Sequence, residues 1–438
     1  MKRITVIGTG YVGLVTGTGL SDFGNHVVCT DINVDKINRL IAGEIPIYEP
    51  GLKDLVDRNV SVGRLSFSTE IAESVKNSEV VFIAVWTPKG KDGSADLTAV
   101  KSVAKTIGEN LNGYKVICTK STVPIGTGKV IRKIVEEASG GSHEFDVVSN
   151  PEFLREGSAV KDFLIPDRIV IGCDSEKAKY VMNQVYRPLF INETPIVSTD
   201  VVTAETIKYA SNAFLAVKIS YINELANLCD TTGADVHVVA RGMGLDGRIS
   251  PKFLHPGPGF GGSCFPKDTR ALTQMASEHN IEMQVVNAAI SANNVQWRRI
   301  TTKLDKLFDD SLDGRIIAVL GLTFKANTDD VRNSPAIPVI RYILARNGNV
   351  KVYDPEGMEN MRLVIPDLNY CITLEEAVSG VDGSIVMTEW HEFRGMDLMS
   401  VAELMRGNII IDARNVLDPR ELKRNGFVYE NVGRPNVK

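Results

Sequence analysis

The segment Arg3–Asp31 constrains the fold more than any other. A short apolar run, Ile4–Ile7, leads into Gly8-Thr9-Gly10-Tyr11-Val12-Gly13. A helix-compatible stretch follows, and then the β-rich run Val27–Thr30, closed by Asp31. A strand–helix–strand unit with a dinucleotide site needs this order. Gly8 allows the tight turn, Gly10 lets backbone approach a pyrophosphate, and Gly13 lets helix and strand pack closely. Free N–H groups at the helix N-terminus supply positive potential for phosphates. Asp31 would accept hydrogen bonds from adenosine ribose hydroxyls and repel a 2′-phosphate, so the pattern favours NAD over NADP. A glycine turn without a ligand is the competing reading, and the ordered strand, glycines, helix, strand and acid weigh against it.

Residues 1–197 alternate between strand and helix patterns. The β-rich runs are Ile4–Ile7, Val27–Thr30, Val80–Val85, Lys115–Thr119, Asp146–Ser149 and Arg168–Gly172. Short apolar runs joined by helical segments predict a parallel sheet with both faces covered. Residues 198–300 carry no convincing strand. Asp200 or Thr203 can cap a long helix reaching about Cys229, with Ile207, Ala210, Phe214, Val217, Tyr221, Leu225 and Leu228 at helical spacing. Further helices are expected from near Thr269 and over about Gln284–Leu307. From Gly314 the strand–helix alternation resumes as an internal repeat: RITVIGTGYVG, GNHVVCTDIN and IAESVKNSEVVFIAV are echoed by GRIIAVLGLTF, GNVKVYDP and LEEAVSGVDGSIVMT. Each copy gives a strand with a tight turn, a strand ending in aspartate (Asp31, Asp354), and a helix leading to a buried strand. The expected architecture is α/β, with two Rossmann-like, doubly wound parallel-sheet domains joined by a central long helix. Its regions are 1–197, 198–300 and 301–438. Chance likeness of generic βαβ patterns is the alternative.

The 438 residues suit two or three domains, at roughly 100–200 residues each. Net charge is −5, from 49 basic and 54 acidic side chains. That balance gives no electrostatic footprint for nucleic acid or an anionic membrane. No apolar run approaches the ~20 residues of a membrane helix, and glycines interrupt the N-terminal run before a signal peptide can form. A cytoplasmic chain with neither nucleic acid nor membrane as partner is expected. The six cysteines are Cys29, Cys118, Cys173, Cys229, Cys264 and Cys371, far apart and without a CxxC pair or clustered His. Neither a disulfide framework nor a metal site is expected. Five of them read as small apolar packing residues; Cys264 is the exception.

Cys264 lies in Pro256–Asp268, where Gly257, Gly259, Gly261 and Gly262 let backbone approach a ligand. It precedes a helix start and stands beside Lys267; helix-end potential and a cation both favour thiolate. Asp268 brings a carboxylate within local reach, to handle a proton or position water. In a nucleotide-binding protein this suggests covalent catalysis: thiolate adds to an aldehyde, hydride leaves, and a thioester is hydrolysed. A buried packing cysteine is the bland alternative, which does not need this glycine density. Lys208 and Asn212 share a helix face, four residues apart. That face either projects into a cleft or is solvated. Ser149–Gly157 and Lys120–Pro124 follow strand ends, where open α/β sheets bind ligands, although structural turns fit them equally well.

Taken together, these residues resemble the UDP-glucose 6-dehydrogenase family, within the wider nucleotide-sugar 6-dehydrogenases. The pieces are GTGYVG, KSTVP, NPEFLREG, IKYASNAFLAVKIS, FGGSCFPKD and GLTFKANTDDVRNSP, in family order from Gly8 to Arg414. The resemblance implies four-electron oxidation: UDP-glucose, two NAD and water give UDP-glucuronate and two NADH. It also implies an N-terminal NAD domain, a central helix carrying much of a homodimer interface, and a C-terminal UDP-binding domain. Carried over by motif, Cys264 is the nucleophile and Lys208 stabilises developing oxyanions, with Asn212 beside it. Asp268 and Thr122 organise water and proton traffic, and Glu152 is the acid/base. Cofactor contacts map onto Gly8, Gly10, Tyr11, Val12, Gly13, Asp31, Lys36, Thr87, Thr122, Glu156, Lys267 and Arg332. Substrate contacts map onto Glu152, Phe153, Leu154, Arg155, Lys208, Asn212, Phe253, the Gly257–Gly261 loop, Phe324, Lys325 and Arg414. Arg248 resembles an arginine that reaches into the partner's site.

Trp86 and the proline-rich His255-Pro256-Gly257-Pro258 depart from the family pattern and leave sugar and base preference open. GDP-mannose, UDP-N-acetylmannosamine and UDP-N-acetylglucosamine dehydrogenases share the scheme. Two readings of other kinds stand beside it. A two-electron hydroxyacid dehydrogenase needs neither the thiolate nor a second nucleotide domain, and a non-enzymatic NAD-sensing or scaffold protein needs no turnover.

Overall fold

Val80–Ile83 and Lys115–Thr119 are buried along their whole length. The uninterrupted apolar character of Val80–Ile83 and of Val116–Cys118 follows, because neighbouring residues point to opposite faces and both faces are covered. Val80, Phe82, Val116 and Cys118 enter one core cluster, while Val81, Ile83 and Ile117 enter another. The computed structural model describes residues 1–88, 90 and 95–435. Two compact units, Met1–Ser211 and Asn212–Lys438, divide the chain, and their boundary falls within the helix Val201–Thr232.

The strands of the first unit are β1 (Arg3–Ile7), β2 (His26–Thr30), β3 (Leu65–Ser68), β4 (Val80–Ile83), β5 (Lys115–Thr119), β6 (Phe145–Ser149), β7 (Ile169–Gly172) and β8 (Ile196–Thr199). They form one sheet in the order β3-β2-β1-β4-β5-β6-β7-β8. Every pairing is parallel except β6 with β7, which meet antiparallel at Ser149 and Gly172. Neither β3 nor β8 is expected from the sequence. Both lie at sheet edges, and β8 is largely exposed, so neither requires an apolar run.

In the second unit the strands are β9 (Ile316–Leu320), β10 (Asn349–Tyr353), β11 (Asn369–Tyr370), β12 (Gly383–Val386), β13 (Ile409–Asp412) and β14 (Val428–Glu430). Their order, β11-β10-β9-β12-β13-β14, repeats that of the first six strands of the first unit. The repeat extends to individual bonds. Gly8 N–H donates to Thr30 O at 2.7 Å, and Gly321 N–H to Tyr353 O at 2.8 Å. Both glycines have positive φ, +104° and +97°, and a Cβ on either would strike the chain just past β4 or β12. The copies then diverge. A helix starts at Tyr11 in the first, but only at Ala336 in the second.

The expected spacer helix runs Val201–Thr232, with Asp200 accepting from Thr203 N–H at 2.9 Å and from its hydroxyl. The apolar spacing locates this helix but not its buried face. Phe214, Tyr221 and Leu228 are 64%, 50% and 56% exposed. The buried line instead holds Ala204, Ala213, Ala216, Ile222 and Ala226, together with Lys208, Asn212, Ser220 and Asn223. Small residues allow close packing, and Lys208, Asn212 and Ser220 find hydrogen-bond partners, so the inward face mixes apolar and polar side chains. After a short helix, Val236–Gly244, the helix expected from near Thr269 runs Phe265–Glu278, starting four residues earlier because proline is tolerated in a first turn. The segment expected as one helix over Gln284–Leu307 is two, Gln284–Gln296 and Arg298–Leu307. At the break the Trp297 indole donates to Asn294 O at 3.1 Å, engaging a carbonyl the helix would otherwise use.

Candidate active site

The glycine loop leaves β1 through the turn at Gly8 and enters the helix Tyr11–Asp22, whose N-cap is Gly10. A Cβ on Gly13 would lie 1.9 Å from Gly8 O, whereas the space in front of Gly10 is open. These are the two properties a pyrophosphate cradle needs, close packing behind and free approach in front. Val12 lies in the first turn of that helix. Asp31 Oδ2 accepts from Thr9 N–H at 2.9 Å and from its hydroxyl at 2.7 Å, and Oδ1 accepts from Asn33 N–H at 3.0 Å. Lys36 Nζ is 3.7 Å from the same carboxylate. Burial works against the charge on Asp31, but these donors outweigh it and hold the carboxyl below its usual range. The loop and the ionised Asp31 carboxylate therefore fit NAD.

Tyr11 OH bonds to the Glu49 carboxylate. Glu49 also accepts from Gly157 N–H and Ala159 N–H, both at 2.7 Å. It thereby ties the glycine loop to the end of the NPEFLREG segment, beside Glu156. Sequence reasoning missed Glu49, since a carboxylate serving backbone amides leaves no motif.

At the strand ends, Thr87 donates its hydroxyl to Thr122 O at 2.9 Å, so the loops after β4 and β5 lie side by side. Trp86, in the first of these loops, is half exposed. The segment after β6 turns Glu152 inward. Its Oε2 accepts from Leu154 N–H at 2.5 Å and its Oε1 from Lys208 Nζ at 2.9 Å. The Arg168 guanidinium stacks 3.5 Å from the Phe153 ring centroid. Arg155 lies apart from this cluster, exposed, with its guanidinium on Asp162. Beneath the cluster, buried Lys120 donates to Asn150 Oδ1 at 3.0 Å and to Tyr186 OH at 3.3 Å. Burial pulls its ammonium down to about 8, with Cys118 and Glu152 opposing the shift. Glu205, one turn before Lys208, accepts from Gly126 N–H at 2.6 Å and Gly128 N–H at 2.8 Å. These amides close the loop that carries Thr122. Burial raises the Glu205 carboxyl to about 7 in spite of them.

In the second unit Cys264 is the N-cap of the helix Phe265–Glu278, and it is half-buried. Four of the other cysteines are fully buried and Cys173 is half-buried. Burial takes Cys29 up to about 12 and Cys118 higher still, which leaves both inert. Cys264 Sγ is 3.6 Å from Ser263 Oγ. Its carbonyl accepts from Asp268 N–H at 2.8 Å, closing the first helical turn. The Asp268 carboxylate is fully buried between Lys267 Nζ at 2.6 Å and Asn212 Nδ2 at 2.7 Å. The cation expected beside the thiol thus pairs with a carboxylate.

The glycine loop ahead of Cys264 passes against the segment after β9. A Cβ on Gly261 would lie 2.4 Å from Asn333 O and 2.9 Å from the Phe324 side chain. Phe253 and Phe260 both pack on Phe265. Arg414 donates through Nη2 to Phe324 O at 2.7 Å and through Nε to Met387 O at 2.9 Å. Lys325 Nζ is 5.4 Å from the Phe324 ring. Gly257, Gly261, Phe324, Lys325 and Arg414 thus form one neighbourhood. Arg332 brings its carbonyl to Gly262 N–H while its guanidinium pairs with Asp330. Arg248 is 89% exposed on its side chain and paired with Asp246.

Three matches to the family models described as UDP-glucose/GDP-mannose dehydrogenase family cover most of the chain. The NAD-binding domain matches residues 2–190, the central domain 202–295 and the UDP-binding domain 318–419. The chain belongs to the UDP-glucose/GDP-mannose dehydrogenase family. Among family members, a UDP-glucose 6-dehydrogenase of Bacillus subtilis is 48% identical, the match covering 100% of this chain and 94% of the relative. One of Rhizobium meliloti is 49% identical over 99% of this chain and 100% of its own. The solved UDP-glucose dehydrogenase of Pyrobaculum islandicum superposes with a TM-score of 0.92 at 40% identity, covering 99% of this chain and 98% of that one. A solved UDP-D-ManNAc dehydrogenase of Pyrococcus horikoshii gives 0.86 at 29% identity, over 99% and 100%. No helix of the described residues is long and apolar enough to cross a membrane, and no described group of His, Cys, Asp and Glu is placed to hold a metal ion.

Proposed function

We propose that this chain oxidises C6 of UDP-glucose twice, giving UDP-glucuronate through a thioester on Cys264. NAD held at the Gly8–Gly13 loop and Asp31 would supply the hydride acceptor for each of the two oxidations, one molecule per step. Glu152 takes the C6 hydroxyl proton in the first oxidation, and Lys208, held against it at 2.9 Å, stabilises the oxyanion. The Cys264 sulfur then bonds to the aldehyde carbon to form a thiohemiacetal, whose oxidation leaves the thioester. Water attacks the thioester carbonyl, the C–S bond breaks, and the thiol is restored with release of the acid. Asp268 and Thr122 order that water and its proton, with Asn212 and Lys267 fixing Asp268.

The observation that carries the reading is the setting of Cys264. It is a half-buried thiol at a helix N-cap, one turn from a buried carboxylate held by an amide and an ammonium. A hydroxyacid dehydrogenase has no use for that cluster. The relatives named for UDP-glucose are more similar than the one named for UDP-D-ManNAc, which favours glucose over the N-acetylhexosamine alternatives. In this reading residues 1–197 serve NAD, 198–300 serve catalysis and dimer formation, and 301–438 serve UDP through Arg414 and Lys325. The exposed line Phe214, Tyr221 and Leu228 supports a homodimer built on the long helix, with Arg248 reaching the partner. The product would feed polysaccharide synthesis.

A panel of nucleotide sugars assayed for NAD reduction, with mass analysis of the product, tests this. UDP-glucose should yield two NADH and a product heavier by one oxygen and lighter by two hydrogens. One NADH per sugar would remove the thioester route, and preference for GDP-mannose or an N-acetylhexosamine would reassign the substrate.

A further inference from the structure

The loop Gly257–Gly262 has four glycines and few side chains with which to anchor itself. Glycine backbone costs more entropy to order than any other residue. Gly262 is held by Arg332 O and Asn333 Nδ2, and Gly257–Phe260 by three amide side chains on two helices. Asn223, on the long helix, accepts from Gly257 N–H through Oδ1 at 2.8 Å. Gln296 donates from Nε2 to Gly257 O at 3.1 Å, and its own Oε1 is oriented by Asn227 Nδ2 at 3.0 Å. Asn293, one turn before Gln296, makes both bonds to Phe260 alone. It accepts from the N–H at 2.7 Å and donates to the O at 3.0 Å, as a neighbouring strand would.

Between the two grips sits Gly259, at φ +116°, where a Cβ would come 3.0 Å from Asn293 Oδ1. At one end, Gly257 lies against the Arg414 guanidinium, its missing Cβ 3.2 Å from Nη1. At the other, the Phe260 ring meets Phe265 edge-on at 5.8 Å, and Phe265 directly follows Cys264. We infer that Asn293 and Gln296 are positioning residues, which set the span from the Arg414 end of the loop to the thiol. The inference rests on the reading that this loop holds the sugar nucleotide.

Steady-state kinetics of the full-length protein test it, with wild type, Asn293→Ala, Asn293→Ser and Gln296→Glu. Gln296→Glu keeps the volume and the acceptor for Asn227 but removes the donor to Gly257 O. Loss of a backbone clamp should raise KM for UDP-glucose at least roughly tenfold. KM for NAD should change less than about twofold, since the NAD loop is in the other unit. The rate of Cys264 alkylation by iodoacetamide, and its protection by UDP, should change with KM for UDP-glucose. A structural defect alone would raise both KM values together and lower the thermal midpoint. Either that pattern or an unchanged KM for UDP-glucose in all folded variants overturns the inference. Wild type that does not turn over UDP-glucose would instead sink the functional reading beneath it.

Discussion

Lys208 Nζ donates to Glu152 Oε1 at 2.9 Å, and both side chains are only 5% exposed. A buried pair of this kind adds little net stability, but removal of one partner strands the other's charge. Lys208→Ala should therefore cost about 3–5 kcal/mol in stability as well as activity. Lys208→Met and Glu152→Gln together should restore much of the stability and none of the turnover. Urea unfolding beside initial rates checks this. A double variant no more stable than Lys208→Ala would mean that the pair is not coupled.

Cys264→Ser weakens both nucleophile and leaving group. Acid formation should fall by several orders of magnitude, as when other covalent nucleophiles are removed. A slowly hydrolysed ester should appear as a mass increase on the intact chain. Cys264→Ala that still makes the acid near the wild-type rate would return the thiol to a packing role.

Asp31 governs cofactor choice if its carboxylate meets the ribose. Asp31→Ala should narrow the preference for NAD over NADP, measured as the ratio of kcat/KM values, by roughly tenfold or more. Thr9 loses its partner in the same variant, so the NAD affinity should fall too. An unchanged ratio would take Asp31 out of the ribose site.

Arg414→Ala should weaken UDP binding more than NAD binding, by calorimetry. The same change frees the carbonyls of Phe324 and Met387. Lys325→Ala leaves those bonds in place and should weaken UDP through lost charge alone. Intact UDP affinity in both variants would mean that the second sheet has been misread.

Glu205 sets a pH dependence of stability. Its carboxyl titrates at about 7 when folded, against a usual value of 4.5. The folded chain thus holds the proton more tightly than the unfolded one. That contribution is fully present below pH 4.5 and is lost as pH rises through 7. Thermal midpoints between pH 5 and pH 8 (roughly the titration window) should fall in wild type and fall less in Glu205→Gln. Parallel curves would show that Glu205 is not the titrating group.

Much of this was legible in the sequence. The central strands of the first sheet followed from apolar runs and punctuating glycines, because doubly covered strands are largely apolar; their order in the sheet did not. Edge strands β3 and β8 escaped, being half-exposed and free of that demand. The long helix was found but its orientation was not. Periodicity weighs Phe214 and Tyr221 above Ala213 and Ala216, while packing favoured the small residues. In the site, Cys264 and Asp268 were legible because glycines and a helix start announce them. Glu49, Asn223, Asn293 and Gln296 were not, since they act on backbone amides and carbonyls that no side-chain motif reports. Glu205 lies three residues before Lys208 on the same helix, and that spacing was the one signal available for it.

Asp354, the counterpart of Asp31, is 1% exposed. It accepts from Leu322 N–H, Thr323 N–H, the Thr323 hydroxyl, the Trp390 indole, Glu356 N–H and Gly357 N–H. One carboxylate therefore rivets the second copy's turn from within. With the turn secured internally, the chain between it and Ala336 was free to lengthen into the loop that presents Phe324 and Lys325. Grafting the GTGYVG segment after β9 would not create another dinucleotide pocket. The acid that should greet a ribose is already spent on the scaffold, and the helix end that should greet phosphate has moved away.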